Sequence, residues 1–270
     1  MRGAKRDNIF FALDREGEPL GSLFLYPFFD QVVAREHPLN LYLHLQVEVS
    51  AEESEPVKDQ LLERAMRRAA EIKREEEQEK ARVYACFFAH QQDEIAYFMR
   101  RGFVHDEGML VLERRESAGL PQVEAPREIT VQPWKMETEV EQRRFIEAHR
   151  KVFPRHPYSI KRLQELMALP GWSNFTAWHG TEIAGNIMVY QEGAGGNRVG
   201  CIEDLFVQRP WRKRGIARVL LYVALGHLQN RGIHRVQLEM WSANEPAFHL
   251  YRRFGFSAIE ETEIAVGRYV

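Results

Sequence analysis

The segment from Val207 to Ala217, VQRPWRKRGIA, constrains this chain more than any other part of its sequence. An apolar run ends at Val207, a proline follows, and basic residues gather just before Gly215 opens a long amphipathic stretch. The first turn of a helix leaves backbone N–H groups without intrahelical partners and carries partial positive charge. Small residues at Gly215 and Ala217 let a ligand approach the main chain. The pattern therefore predicts a phosphate- or pyrophosphate-binding turn between a strand and a helix.

The helix predicted after this turn has one apolar face, formed by Ile216, Val219, Leu220, Val223 and Leu228. That face favours a packed helix, because an isolated basic stretch would show no such periodicity. Two alternatives stay open at this stage: a solvated basic helix start, and RNA binding through Arg209–Arg218.

The composition of the chain limits the partners and the cellular location that we expect for such a protein. The 270 residues carry 37 Lys+Arg against 39 Asp+Glu, a formal net charge of -2. We therefore expect no general attraction to nucleic acid or to an anionic membrane. No apolar run approaches the roughly 18 residues of a membrane span, and the N-terminus does not resemble a secretory signal. Cys86 and Cys201 lie in apolar strand-like runs, which predicts a reducing, cytoplasmic location without a disulfide or a metal site.

Loop-forming residues and the periodicity of apolar residues divide the chain into two predicted halves. Residues 117–127 contain two prolines and a glycine, so they predict a linker between a domain at 1–116 and a domain at 128–270. In the second half we predict strands at Ile129–Gln132, Phe175–Trp178, Glu182–Tyr190, Val199–Val207, Arg235–Trp241 and Ser257–Val266. Predicted helices are Thr138–Val152, Ile160–Ala168, Gly215–Arg231 and Glu245–Phe254. This order predicts an α/β (α+β) fold with a central mixed sheet flanked by helices.

The two halves also resemble each other in sequence. In chain order, Gly17–Tyr26, Leu45–Val49, Val57–Glu76 and Phe98–Phe103 match Thr181–Tyr190, Glu203–Val207, Gly215–Arg231 and Tyr251–Phe256. Nothing in the first half corresponds to Ile129–Gly171. We interpret the first half as a shortened duplicate, the alternative being two unrelated α/β pieces.

Residues Ile202–Ala217, Asn244–Ala247 and Leu250–Phe256 together closely resemble the GCN5-related N-acetyltransferase (GNAT) superfamily. The resemblance covers essentially all of residues 128–270, whereas the first half resembles the family only in outline. It implies tandem GNAT-like domains, the first truncated and degenerate, and acetyl-CoA as the co-substrate without a metal.

The resemblance also assigns roles to residues. Those implied to hold the pyrophosphate are Arg212, Lys213, Arg214, Gly215, Ile216 and Ala217. Leu205, Phe206 and Val207 are implied to offer main-chain groups to the pantetheine arm. Asn244 is implied to contact the same arm, and Tyr251 to protonate the leaving thiolate.

Acyl transfer to an amine further needs a group that accepts the amine proton. Glu203 is our candidate, with Asp204 as the fallback, because adjacent strand residues are expected to point to opposite faces. The alternatives are an ordinary strand carboxylate for Glu203 and a core tyrosine for Tyr251.

The first half departs from this pattern at each functional position. Ser50–Val57 is acidic and lacks glycine where the coenzyme turn would stand, and carboxylates there would repel a diphosphate. Leu45, Gln91 and Phe98 replace Glu203, Asn244 and Tyr251 respectively. We expect a non-catalytic scaffold.

In the resembling family the acceptor pocket is walled by the first two helices, their loop and later strands. The corresponding residues here are Phe145, His149, Phe153, His156, Tyr158, Trp172 and Trp178. Aromatic walls with few carboxylates favour a small amine or a peptide end over a polycation. We therefore predict an N-acetyltransferase that directly acetylates a primary amine of a small molecule or peptide, with a homodimer possible. The alternative is a non-catalytic acyl-CoA sensor.

Overall fold

The computed structural model describes residues 6–28, 39–115, 119–154 and 156–270. Residues 1–5, 29–38 and 116 of the predicted first domain, and Ser117 and Ala118 of the predicted linker, lie outside the described residues. The strands are β1 Ile9–Leu13, β2 Pro19–Phe28, β3 Leu39–Val47, β4 Ala81–Phe88, β5 Val104–Arg115, β6 Thr130–Pro133, β7 Ser173–His179, β8 Glu182–Glu192, β9 Val199–Val207, β10 Arg235–Trp241 and β11 Ser257–Tyr269. The helices are α1 Ala51–Glu75, α2 Gln92–Arg100, α3 Glu139–Val152, α4 Ile160–Met167, α5 Ile216–Asn230 and α6 Glu245–Arg253.

The chain forms two compact units, and each unit combines segments from separate parts of the sequence. Unit 1 comprises Met1–Met109, Trp241–Asn244 and Glu261–Val270. Unit 2 comprises Leu110–Met240 and Glu245–Glu260. The final strand segment of the chain therefore completes the first unit.

The sheet of unit 1 has the strand order β1-β2-β3-β4-β11. β3 and β4 are parallel, and their paired register runs from Leu39 opposite Ala81 to Tyr42 opposite Tyr84. A parallel pair needs a crossover connection, which α1 supplies. The remaining pairs are antiparallel, so the sheet is mixed.

One face of this sheet builds the core of unit 1. Leu23 and Leu25 of β2 are buried, whereas the intervening Phe24 is half-buried, as the two-residue period of a strand requires. Buried residues of α1 and α2, among them Leu61, Ala65 and Phe98, pack against that face.

In unit 2 the strands β10-β9-β8-β7-β6 lie in that order; β9 pairs parallel with β10, and the pairs β9–β8, β8–β7 and β7–β6 are antiparallel. One core lies with α5 and α6 and contains Leu220 and Leu225. A second core lies with α3 and α4 and contains Phe145 and Leu163. The predicted class, a central mixed sheet flanked by helices, is confirmed.

Side-chain caps explain where α3 and α4 of unit 2 begin. Thr138 caps α3 in a capping box, because its hydroxyl accepts from the Glu141 N–H while the Glu141 carboxylate accepts from the Thr138 N–H. Ser159 caps α4 by accepting from the Arg162 N–H.

The prediction for the long helix of unit 1 was wrong at its start. We expected a helix from Val57, but α1 begins at Ala51 and contains Pro56. Acidic residues are favourable in the first turn of a helix, so the sequence from Glu52 to Glu55 extends the helix instead of forming a loop. Unit 1 thus has no extended turn between β3 and α1.

Candidate active site

The turn that precedes α5 has an unusual backbone. Lys213 and Gly215 adopt left-handed conformations, with φ of 63° and 82°. Gly215 is the N-cap of α5, and its carbonyl accepts from the N–H groups of Arg218 and Val219. The N–H groups of Ile216 and Ala217 stand in the first turn, where a helix offers them no partner. These are the amides that the sequence predicted to bind an anion.

A cavity of about 310 Å³ opens beside this turn. It is lined by Gly215 and Arg218 of the helix start and by Gln122–Glu124. The predicted turn is therefore accessible, and the segment predicted as a linker forms one of its walls. Sequence reasoning missed this role of Gln122–Glu124, because a run without periodicity carries no signal of where it lies.

Two of the three predicted cations at the turn are held by protein groups. Arg212 Nε donates to the carbonyl of Val207 at 3.0 Å, which fastens the end of β9. Arg214 lies 3.5 Å from the carboxylate of Glu128 and its guanidinium stands 5.0 Å from the ring centre of Trp211. Arg218, which the sequence analysis did not assign to the coenzyme, lines the cavity.

The strand before the turn separates from its neighbour. Pairing of β9 with β10 covers Gly200–Ile202 and stops there. On its other edge β9 stays paired with β8 as far as Val207. The backbone of Glu203–Val207 is thus unpaired on the β10 side, but the Val207 carbonyl accepts from Arg212 and the Leu205 N–H donates to the Asp204 side chain. Leu205, Phe206 and Val207, which the resemblance implies to contact the pantetheine arm, lie on this edge of β9.

A bulge interrupts β9 at Glu203. Met188 faces Asp204 and the next residue, Val189, faces Ile202, so Glu203 is the extra residue of this strand. The side-chain alternation reverses across a bulge of this kind. The expectation that Glu203 and Asp204 point to opposite faces was wrong: Arg162 of α4 lies 3.6 Å from Glu203 and His149 of α3 lies 3.2 Å from Asp204, so both carboxylates face α3 and α4.

Glu203 is the more accessible of the two carboxylates, with 22% of its side chain exposed. It lies near the Tyr158 hydroxyl, and Arg162 Nη2 lies 3.6 Å from its Oε1. Burial raises the pKa of Glu203, the Arg162 charge lowers it, and the charges of Asp204 and Glu239 raise it further. The net effect is a raised pKa, which makes the carboxylate a stronger base.

Asp204 is buried against α3. Its Oδ2 lies 3.2 Å from Nε2 of His149, and both side chains are less than a tenth exposed. Burial raises the pKa of Asp204, whereas contact with His149 and a hydrogen bond from the Leu205 N–H oppose that rise. The sequence placed His149 in an aromatic wall and missed its link to Asp204.

Tyr251 lies on α6 with 7% of its surface exposed, and its ring meets Phe256 edge-on at 5.7 Å. Burial raises the pKa of Tyr251, and the nearby charge of Asp204 raises it further. Tyr251 packs in the core that contains Leu220 and Leu225, and Asp204 is the charged group that acts on it. Asn244 lies in the turn Trp241–Asn244, which belongs to unit 1, and is not part of the site described for unit 2.

The described ranges contain no group of three or more His, Cys, Asp or Glu side chains arranged to hold a metal ion. No helix within them is long and apolar enough to cross a membrane.

Residues 137–256 match the profile of the acetyltransferase (GNAT) family. The match begins just before α3 and ends after α6, so it contains the turn, the bulge and Tyr251.

Relatives with named activities share part of the chain. A mycothiol acetyltransferase of a Nocardioides species is 26% identical over 187 residues, which are 62% of this chain and 63% of that protein. The streptothricin acetyltransferase of Streptomyces lavendulae is 43% identical over 56 residues, 21% of this chain and 30% of that protein. The chain spans between 25% and 63% of the length of the mycothiol acetyltransferases that it matches.

Among solved structures, a GCN5-related N-acetyltransferase from Sphaerobacter thermophilus has the same fold. The TM-score is 0.52 at 19% identity, and the match covers 97% of this chain and 81% of that one. At this identity the likeness establishes the fold alone.

Proposed function

We propose that this protein transfers acetyl from acetyl-CoA to a primary amine of a small molecule or peptide, and the match of residues 137–256 to the acetyltransferase (GNAT) family supports this. The observation that carries the proposal is the accessible turn at Gly215 directly after the unpaired edge of β9. A diphosphate would accept from the amides of Ile216 and Ala217. Arg218 at the cavity would add positive charge.

The acyl arm of the coenzyme would lie along β9. The main chain of Leu205–Val207 is not paired with β10, so those of its groups that Arg212 and Asp204 do not already bind can offer hydrogen bonds of the kind that a neighbouring strand would otherwise use. An arm bound there leads from the turn toward the bulge at Glu203. The thioester would then lie between Glu203 and Tyr251, which is the arrangement that transfer needs.

Transfer would proceed by direct attack. The amine nitrogen bonds to the thioester carbonyl carbon, and the carbon–sulfur bond breaks. Glu203 accepts the amine proton, directly or through water, and Tyr251 donates its phenolic proton to the sulfur. Cys201 does not supply a nucleophile, since burial raises the pKa of its thiol to about 11 and keeps it protonated.

The relatives support a small or flexible acceptor. Two of them are named for mycothiol and streptothricin. Tyr158 and Arg162 stand beside Glu203 on the side of α3 and α4, so the acceptor would enter there. As part of the same proposal we place the reaction in the cytoplasm, in keeping with the free thiols of Cys86 and Cys201.

We further propose that unit 1 is a degenerate copy without activity of its own. Its parallel pair β3–β4 connected by α1 has the same pattern as β9–β10 connected by α5. Phe98, which replaces the tyrosine acid, is fully buried and has no proton to give. The helix that starts at Ala51 leaves no turn for a diphosphate.

Calorimetric titration with acetyl-CoA tests the donor. We expect binding by the wild type and weaker binding by Arg218→Glu, because the charge at the cavity is reversed. The matched control Arg143→Glu changes an exposed arginine on α3 and should bind normally. Absence of binding by the wild type would overturn the proposal.

A panel of amines and peptides, assayed by thiol release, tests the transfer. Release that depends on both acetyl-CoA and an amine supports the enzyme. Tight binding without release for any acceptor class would favour the acyl-CoA sensor. Nucleic-acid binding that acetyl-CoA does not displace would favour the basic turn as an RNA site instead.

A further inference from the structure

Arg162 carries a guanidinium that makes no hydrogen bond with any residue that the structure describes. Its ion-pair partners are two carboxylates: Nη2 lies 3.6 Å from Oε1 of Glu203, and Nη1 lies 3.9 Å from Oε2 of Glu165. Both distances are longer than a hydrogen bond allows. The side chain is 55% exposed. The five N–H donors of the guanidinium are therefore available to a ligand that enters from solvent.

Stability does not account for an arginine at this position. Arg162 is the third residue of α4, after the N-cap Ser159, and a positive charge in the first turn opposes the helix dipole. The same position of α3 holds Glu141, which completes a capping box with Thr138. The ion pair with Glu203 is too long and too exposed to contribute much to the stability of the fold.

The place of Arg162 is beside the base proposed for the transfer. Glu203 faces α3 and α4, the side from which the acceptor is proposed to enter, and Arg162 lies on that side. A positive and a negative group are thus presented together where the acceptor amine would bind. A ligand with the opposite arrangement, an ammonium and a carboxylate on one carbon, is complementary to this pair.

The second carboxylate near Arg162 would also attract a cation. Glu165 is 51% exposed, and it lies 3.9 Å from the ammonium of Lys161 as well as 3.9 Å from Arg162. Its charge is therefore shared between two cations and screened by solvent. Glu203, with 22% of its side chain exposed, is the better partner for an ammonium, which leaves Arg162 for a carboxylate.

We infer that Arg162 binds the carboxylate of the acceptor, so that the acceptor is an α-amino acid and not a simple amine, a polyamine or a peptide N-terminus. The inference rests on the proposed function. A guanidinium donates two parallel N–H bonds to a carboxylate, and the amine on the adjacent carbon would then reach Glu203. No bond to Arg162 forms or breaks: the amine proton goes to Glu203, and the phenolic proton of Tyr251 goes to the sulfur.

Acceptors that differ only in the carboxylate test the inference. The proteinogenic amino acids are screened by thiol release, and the best one is compared with its amide and its decarboxylated amine; for phenylalanine these are phenylalaninamide and phenethylamine. The amide is less basic and the amine more basic than the amino acid, so a preference over both reports the carboxylate. We expect kcat/KM to be about 10- to 100-fold higher for the amino acid, mainly through a lower KM.

Three variants assign this preference to Arg162. Arg162→Gln should reduce it to less than about threefold, and Arg162→Glu should reverse it, because two carboxylates would then repel each other. Arg162→Lys keeps the charge but loses the planar fork, so it should retain part of the preference. Loss of the arginine also raises the pKa of Glu203. That effect is common to all three acceptors, and the ratio of their kcat/KM values is therefore the readout.

Lys161→Gln is the matched control. It removes the same charge from the same turn of α4, at a side chain that is 87% exposed and pairs with Glu165. The preference for the amino acid should stay as in the wild type. The variants of Arg162 should fold, since the residue is half exposed and donates no side-chain hydrogen bond to the described residues, and thermal unfolding checks this.

Each outcome decides. Equal or faster acetylation of the amide or the amine by the wild type would overturn the inference, and so would activity confined to aminoglycosides, polyamines or peptides. A preference that Arg162→Gln keeps, or that Lys161→Gln loses to the same extent, would also overturn it. The proposed function fails in a different way, when the wild type binds no acetyl-CoA or acetylates no amine of any class.

Discussion

Ile202 and Phe206 lie four positions apart on β9, yet their side chains belong to different cores. Ile202 packs with α5 and α6, and Phe206 packs with α3 and α4. In a regular strand two residues with this spacing share a face. The bulge at Glu203 reverses the alternation between them. As a result, Glu203 and Asp204 lie together on the side where the acceptor is proposed to enter.

Glu203→Gln tests the base. Its pKa is raised by burial and by the charges of Asp204 and Glu239. Only the deprotonated carboxylate accepts a proton, so wild-type turnover should rise as pH increases through this raised pKa. In the variant, kcat should fall roughly 100-fold. The rise of turnover with pH, which is the acid limb of the pH–rate profile, should disappear. A pH–rate profile measures both, and Glu147→Gln, an exposed change on α3, should leave the profile as it is.

Arg162→Gln tests the role of the Glu203 carboxylate without changing Glu203 itself. Arg162 lies 3.6 Å from Glu203 and lowers the pKa of its carboxyl. Loss of this positive charge should raise the pKa of Glu203, so the acid limb should move to higher pH. Arg143→Gln is the matched control. An acid limb that stays in place would mean that another group titrates there.

The sequence was sufficient to predict the secondary structure around the site. The strands Val199–Val207 and Arg235–Trp241 were predicted with the bounds that the structure shows. The alternation of apolar residues and the glycine at 215 determine these elements locally, so they can be predicted without knowledge of the tertiary structure.

The relative placement of Glu203 and Asp204 could not be predicted. A bulge depends on how β8 and β9 register with each other, and neither strand encodes that alone. The contact between His149 and Asp204 likewise joins residues 55 positions apart. For the same reason the wall formed by Gln122–Glu124 was assigned to a linker.

Tyr251→Phe separates coenzyme binding from catalysis. The change removes one hydroxyl from a residue that is 7% exposed and keeps its ring against Phe256. We expect the Kd for acetyl-CoA to stay the same and kcat to fall about 100-fold, since the thiolate loses its acid. Calorimetry and the thiol-release assay measure the two quantities. Tyr222→Phe, on the exposed side of α5, is the control, and equal kcat in both variants would contradict the assigned acid.

Val266→Ala tests whether the end of the chain stabilises unit 1. Val266 is fully buried in the core of that unit and pairs with Ala85 of β4. Removing two methyl groups should lower the free energy of unfolding by about 2 kcal/mol. Hydrogen exchange should become faster along Ala81–Phe88. Ile259→Ala changes a residue that is 51% exposed, and it should alter stability by less than about 0.5 kcal/mol.

Gly215→Ala tests the turn itself. A Cβ at this position meets no heavy atom within 4 Å, so the cost comes from the left-handed φ of 82° and amounts to about 1–2 kcal/mol. The protein can relieve that strain by moving the first turn of α5, which would misalign the amides of Ile216 and Ala217. We expect the Kd for acetyl-CoA to rise about tenfold, which corresponds to about 1.4 kcal/mol.

Gly226→Ala is the control for that change, because it lies within the same helix and its Cβ also meets nothing within 4 Å. It should stabilise the protein by about 0.5–1 kcal/mol, since alanine is the better helix former, and leave coenzyme affinity unchanged. If Gly215→Ala lowers the melting temperature but binds acetyl-CoA like the wild type, the amides after Gly215 do not hold the diphosphate. The proposed coenzyme site would then have to lie elsewhere in unit 2.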